Sequence, residues 1–277
     1  MNSVNKMGKI MWPTLYLFLL NTFLIISMLF NFTSTSYFMY LPIMSVLMYF
    51  NFTPFHESAH NLIASKNYKF LNNIIGHTSN FIYTSSFPAW KFIHKQHHLY
   101  TNNSDLDPDK FYNNLTEIFT YGWFLDYIYF YYYLNHFNSR PFKEKLTFIS
   151  TIMFYLFIFK SIVKNNLFIN FLLAFYIPQR CALMMASFIL DYNSHHDCED
   201  YTITKNNSLI TNKISGIKEH DDYPLLTSII TQNQNYHNVH HINTSVPFYD
   251  YKNVWDEIKN KQMKRGTKLK TILELKK

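Results

Sequence analysis

The sequence predicts an all-α integral membrane protein: two transmembrane helical hairpins, about four spans, with a cytoplasmic helical cap carrying clustered histidines. Three observations predict it. Long apolar runs come in two pairs, within residues 14–55 and 146–190. Eight of the thirteen histidines stand in three tight groups, each beside an apolar run. The mean hydropathy of -0.13 averages lipid-like runs with polar, histidine-bearing stretches, so the chain is strongly segregated.

The first run, Thr14 to Phe32, is nineteen residues without a charge, close to the roughly 20 that cross a bilayer core. Lys6 and Lys9 precede it, but it exceeds the core of a secretory signal, about 7 to 15 residues, and no small-residue cleavage site follows. It reads as an uncleaved anchor. A polar link leads to Tyr37–Phe50, interrupted by Pro42, and this pair forms a hairpin returning to its starting side. The second pair is Leu146–Val163, which carries Lys160, and Leu167–Leu190, which carries Pro178, Gln179 and Arg180. An arginine at the bilayer centre costs about 2.5 to 3.5 kcal/mol on insertion scales, so Arg180 is expected to snorkel to the interface. Between the hairpins, residues 116–135 are dense in aromatics and include Asp126. They read as an amphipathic interface helix, a structural belt, with the lining of a lipid-chain tunnel as the sharper alternative.

Two complete hairpins leave every histidine group on one face. The link Asn31–Ser36 has no basic residue, whereas Lys6 and Lys9 flank the other end, which places the groups on the cytoplasmic side; Lys160 and Lys164 argue the other way. Residues 252–277 hold nine Lys or Arg against three acids and so supply most of the net charge of +7. A basic tail beside a membrane attracts anionic headgroups, at about 1 kcal/mol per residue near the surface. With no aromatic-basic interleaving or binding motif, no nucleic acid partner is expected. Cys181 and Cys198 form neither a disulfide framework nor a CxxC pair, as in a reducing compartment. The 277 residues read as one membrane-embedded domain, with histidine regions 56–109 and 191–252 and a basic tail 253–277.

The groups are HESAH (His56, His60), HKQHH (His94, His97, His98) and HNVHH (His237, His240, His241). On a helix, positions i, i+3 and i+4 share a face with Cβ atoms about 5 to 6 Å apart, so HxxxH aims two imidazoles one way and HxxHH aims three. Neutral imidazole suits iron, zinc, copper and nickel, and such histidines would repel one another once protonated. Eight are too many for one ion, which takes about four, so two metals are the economical reading. The segment DYNSHHD, Asp191 to Asp197, adds His195 and His196, one of which would make nine ligands. His77, His136 and His220 stand alone and are set aside, since a solitary histidine is more often a surface or core residue.

The order HxxxH, HxxHH, HxxHH resembles the histidine boxes of the membrane fatty-acid desaturase superfamily, which also holds lipid hydroxylases and carotenoid hydroxylases and ketolases. Flanking residues are similar too. Thr101, Asn102, Asp107, Pro108 and Asp109 in HHLYTNNSDLDPD match HHxxTNxxxxDPD. QNYHNVHHINTSVPFYDY is close to the QNYHxxHHxxPxVPFYRY of a branch of desaturases and carotenoid hydroxylases, with Thr244 in place of proline and Asp250 in place of arginine. The resemblance covers roughly residues 50 to 255. It implies a non-haem centre of two iron ions that uses dioxygen and external electrons to oxidise an unactivated C–H bond of a lipid or isoprenoid substrate. In that family every box histidine is a ligand, with one more before the third box. Carried over, this assigns His56, His60, His94, His97, His98, His237, His240, His241 and either His195 or His196. The branch pattern DYLPHxPHD is two residues longer than DYNSHHD; counting from Asp191 favours His195 and the deletion leaves His196 open.

Neighbouring groups must fix the imidazole tautomers, and Asp107, Asp109, Asp191, Asn193 and Asp197 are the candidates; for Asp107 and Asp109 the favoured role is instead to cap or brace the loop after the second group, as a DPD turn does. Fatty acyl desaturation is the preferred outcome, and hydroxylation of a lipid or carotenoid is the alternative. No fused haem domain is evident, so a separate ferredoxin, cytochrome or reductase is the expected electron donor. Two competitors come from other classes. His56, Glu57 and His60 spell HExxH, a zinc-protease pattern, but that chemistry needs one further ligand and leaves most box histidines idle. A metal-storing membrane protein would bind iron and oxidise nothing.

Overall fold

Pro13 sits in the first turn of α1 (Trp12–Phe30), where its missing N–H would have found no helical partner. α1 therefore starts two residues before the uncharged run, and it ends at Phe30, where the Asn31 N–H turns back to the Ser27 carbonyl and the Phe32 N–H to that of Leu29. The computed structural model describes residues 10–196, 198, 217–218, 224–267 and 269–270. Apart from a two-residue parallel ladder, Ile217–Lys218 with Leu269–Lys270, and a bridge between Ile10 and Ala64, the regular structure among the described residues is helical.

Four helical stretches are long and apolar enough to cross a membrane: Trp12–Phe30, Ser34–Ala59, Phe142–Lys164 and Phe168–His195. The second comprises α2 (Tyr37–Phe50) and α3 (Phe52–Ala59), joined through Asn51, so His56 is helical and His60 is the C-cap that ends α3. α4 (Phe70–Ile82) and α5 (Phe87–Tyr100) follow. Residues 116–135 do not form one helix. They break at Gly122 into α6 (Leu115–Tyr121), capped by the Asn114 side chain accepting from the Glu117 N–H, and α7 (Leu125–His136). A 3-10 turn, Gly122–Phe124, joins the two, and Gly122 packs so closely that an added Cβ would lie 2.9 Å from the Ser187 Cβ.

α8 (Phe142–Lys164) starts four residues before Leu146, its first turn held by a bidentate Arg140–Glu144 pair at 2.8 and 3.0 Å. α9 (Phe168–His195) runs five residues past Leu190 and contains two π-helical turns, Leu172–Tyr176 and Ser187–Tyr192. Such turns insert a residue and rotate the face that follows. The polar DYNSH segment is thus the end of a helix rather than a loop. α10 (Pro224–Thr231), α11 (His237–Ile242) and α12 (Tyr251–Lys264) complete the α-helices among the described residues. The start of the expected tail, at residue 253, falls inside α12, because Tyr251 and Trp255, one turn apart and both fully buried, pack with Tyr236, Val239 and Val246.

The chain forms two compact units, one comprising residues up to Lys91 with Leu134–Leu183, the other Phe92–Tyr133 with Met184 onward. In the first, side chains clip helices together: Asn21 Nδ2 donates to the Leu47 carbonyl at 2.8 Å, the Tyr40 hydroxyl to Ala174 at 2.7 Å and the Tyr83 hydroxyl to Met48 at 2.7 Å. Such bonds matter where lipid removes the hydrophobic drive for helix pairing. Arg180 departs from the snorkelling expectation. It is 7% exposed, donates to Gln179 Oε1 at 2.9 Å, and stacks 4.8 Å over the Tyr176 ring, so its charge is held within the protein. Gln179 in turn donates to the Ile82 carbonyl at 2.8 Å.

Gly76 is required by packing against Phe87, whose ring atoms would stand 2.2 to 2.5 Å from an added Cβ. Phe87 is 2% exposed and pinned against Phe55 and His77. Gly76→Ala is expected to destabilise the protein by about 1 to 3 kcal/mol, the usual cost of overpacking, read as a lower thermal midpoint in detergent.

Candidate metal centre

Three elements of the second unit bring seven histidines together. α5 supplies His94, His97 and His98, the end of α9 supplies His195, and α11 supplies His237, His240 and His241. Local backbone explains the presentation. Gln232 and Asn233 adopt left-handed conformations (φ 52° and 60°), forming the sharp turn that enters α11, and Asn102 (φ 66°) turns the chain after α5. The imidazoles form two groups. His94, His98 and His240 make one; His97, His195, His237 and His241 make the other, and within each the facing ligand atoms lie within 4.8 Å of one another.

The nitrogen separations carry chemical information. Nε2 to Nε2 distances are 3.1 Å for His94 and His98, 3.0 Å for His98 and His240, 3.4 Å for His97 and His241, and 3.1 Å for His237 and His241. For a metal–imidazole distance of about 2.1 Å, adjacent donors stand ~3.4 Å apart in a tetrahedron and ~3.0 Å apart around an octahedron. The observed spacings fall between these values. Two of these rings have their other nitrogen committed outward. His97 Nδ1 lies 3.0 Å from Asp107 Oδ1 and 3.2 Å from Asp109 Oδ2, and His237 Nδ1 lies 3.1 Å from Gln234 Oε1. Both partners are acceptors, so each Nδ1 bears a proton; when the ring is neutral its lone pair therefore faces inward, where a cation fits and takes the place of a second proton.

Electrostatics divides the histidines. Burial alone would lower the His97 pKa, but the Asp107 and Asp109 carboxylates, with a smaller contribution from Asp191, overcome it and raise it to about 9. His241 is held well below its ordinary value by burial and by neighbouring histidines, so it keeps the neutral form that ligation requires. Asp109 is raised by burial.

The family model described as Fatty acid desaturase matches residues 33–271. The chain belongs to the fatty acid desaturase family. No curated protein matches it. Membership makes it a membrane oxidoreductase of the lipid desaturase or hydroxylase type, in a family that uses iron, and its histidine groups are of the kind that hold metal.

In this desaturase-family chain His195 is 3% exposed, with ring centroids 4.8, 5.1 and 4.9 Å from those of His97, His237 and His241. His196 points elsewhere, edge-on to Tyr192 at 4.6 Å. Asp107 contacts His97 and also accepts the Asn102 N–H at 2.7 Å and the Asp109 N–H at 3.0 Å within its own loop. Asn193 is buried, Asp191 is partly buried, and Asp197 lies outside the described residues. In the first unit His56 and His60 keep their rings together, centroids 4.9 Å apart, with Phe52 and Trp90 against His56. His77 packs edge-on to Phe87, and His220 lies outside the described residues.

Two contributors were not named from the sequence. Gln234 holds His237, and the Tyr251 hydroxyl lies 3.1 Å from His240 Nδ1. Both fall inside the QNYH to VPFYDY stretch, so the motif contained them without indicating their roles. Tyr251→Phe keeps the buried ring but frees the His240 imidazole to turn; metal affinity is expected to fall roughly tenfold, the low end for an outer hydrogen-bond partner, measured by chelator competition.

Proposed function

We propose that this chain is a di-iron fatty acyl desaturase of the membrane, drawing electrons from a separate ferredoxin, cytochrome or reductase. The observation that supports it most is the pair of histidine groups in the second unit, whose inward nitrogens are spaced for coordination at 3.0 to 3.4 Å. The residues assigned to hold the two irons are His56, His60, His94, His97, His98, His195, His237, His240 and His241. His195 is preferred over His196 because its ring stands among three others. When bound, such an iron pair supplies dioxygen-dependent oxidation of an unactivated C–H bond.

The protein's own contribution is preorganisation. Asp107 and Asp109 hold the His97 Nδ1 proton, Gln234 holds that of His237, and Tyr251 orients His240, so the inward lone pairs are aimed before metal arrives. Burial of His97, His195 and His240, at 3%, 3% and 0% exposure, keeps bulk water from the reacting region. The reading further takes the four spans as two hairpins with the centre on the cytoplasmic side, and the whole chain as one membrane-embedded domain. Hydroxylation of a lipid or carotenoid remains the second reading, favoured by the QNYHNVHH and VPFYDY motifs. Zinc proteolysis is disfavoured by Glu57, which is fully buried and accepts the Thr14 hydroxyl at 2.8 Å rather than standing ready as a general base.

Expression in a host supplied with acyl lipids and carotenoids, followed by mass spectrometry, tests the proposal. Acyl chains two hydrogens lighter are expected, absent with His97→Ala. Products one oxygen heavier select hydroxylation, and unchanged lipids from an iron-loaded protein refute both oxidations.

A further inference from the structure

α7 carries none of the clustered histidines, yet one of its side chains reaches the centre. Tyr129, 8% exposed, donates its hydroxyl to Asp109 Oδ1 at 2.6 Å. The other oxygen of that carboxylate lies 3.2 Å from His97 Nδ1, and the far nitrogen of His97 faces His241. An unbroken polar chain therefore runs from a helix of the aromatic segment to an inward-facing imidazole nitrogen. We propose that Tyr129 is a positioning residue for the centre, acting through Asp109 on His97; this rests on the reading of His97 as a metal ligand.

The two carboxylates flanking His97 are anchored differently. Asp107 is fixed by its own loop, through the Asn102 and Asp109 N–H groups. Asp109 is fixed from α7, twenty residues along the chain. A carboxylate turns readily about its terminal torsion, so an anchor on one oxygen sets where the other points. The 2.6 Å separation lies within the roughly 2.5 to 2.7 Å range of a charge-assisted O–H···O⁻ bond, the stronger kind. With both acids in place, the single Nδ1 proton of His97 sits between two acceptors, and the ring's tilt reflects their balance. Loss of the Tyr129 hydroxyl releases Asp109, and the ring swings toward Asp107. α7 thereby contributes to the aim of a metal-facing nitrogen without contributing a ligand.

The test uses full-length, iron-loaded protein in detergent. Tyr129→Phe is expected to keep a near-native thermal midpoint, release iron to a chelator about tenfold faster, and change the Mössbauer quadrupole splitting. Asp109→Asn, which leaves α7 intact, should change the same signal. The double variant should add nothing to Asp109→Asn, as expected for residues acting in series. Tyr133→Phe, which removes a fully buried hydroxyl one turn along α7, should leave iron release and spectrum unchanged. Additive effects, a spectrum indifferent to Tyr129→Phe or to Asp109→Asn, or an equal response to Tyr133→Phe would overturn the proposal while leaving the metal assignment standing. A wild-type protein that retains no iron, or His97→Ala that retains all of it, would overturn the metal assignment and this proposal together.

Discussion

His97→Ala will leave the purified protein with little bound iron and no detectable product, a larger loss than any other single change outside the ligand set. Three consequences combine. A donor nitrogen facing His241 at 3.4 Å disappears, and with it one corner of its group. The Asp107 and Asp109 carboxylates, both 7% exposed, lose the imidazole that lies between them. Removing one partner of a buried ionic contact costs about 3 to 5 kcal/mol, because the charge left behind is uncompensated. Metal content by elemental analysis should therefore fall together with the thermal midpoint. Altering only an outer partner of a metal-bound histidine costs about 10- to 100-fold in affinity, and losing the ligand itself should exceed that. His77→Ala, in the other unit and outside both groups, should keep its iron. Full iron occupancy in His97→Ala would sink the assignment.

Asp107→Asn is the second large effect, and it separates orientation from ligation. The substitution is nearly isosteric but converts an oxygen into a donor, while Asp107 faces three donors: His97 Nδ1 and the N–H groups of Asn102 and Asp109. One of those contacts must become a clash of donors. An unsatisfied buried N–H costs about 1 to 3 kcal/mol, and iron affinity is expected to drop by roughly 10- to 100-fold. Chelator competition and thermal unfolding measure the two losses separately. Asp105→Asn, in the same loop but exposed, should alter neither. An Asp107→Asn protein with wild-type iron affinity would show that the contact only braces the loop.

Much of this molecule was legible in its residues. The spans announced themselves because uncharged runs near twenty residues have few other solutions in water or lipid. The HxxxH and HxxHH spacings were legible because a helix repeats its faces every three to four residues. Ends and breaks were less so. α8 begins early because a turn of charged residues can be helical without being apolar, and residues 116–135 are interrupted by a 3-10 turn at Gly122, which is pressed against Ser187, a contact between positions sixty-five residues apart. Arg180 is costly to bury alone, and it is buried here because the Gln179 amide and the Tyr176 ring receive its guanidinium.

By itself, then, the sequence determined the helical class, the candidate spans, the family and the histidines available to a metal, since each depends on local periodicity and residue chemistry. Only the tertiary structure decided that His195 rather than His196 stands among its neighbours, that two π-helical turns in α9 precede it, and that Asp107, Asp109, Gln234 and Tyr251 hold the outward ring nitrogens. An imidazole's tautomer and tilt are set by whatever lies about 3 Å from its far nitrogen. That neighbour is fixed by how helices pack, which no short window of residues records.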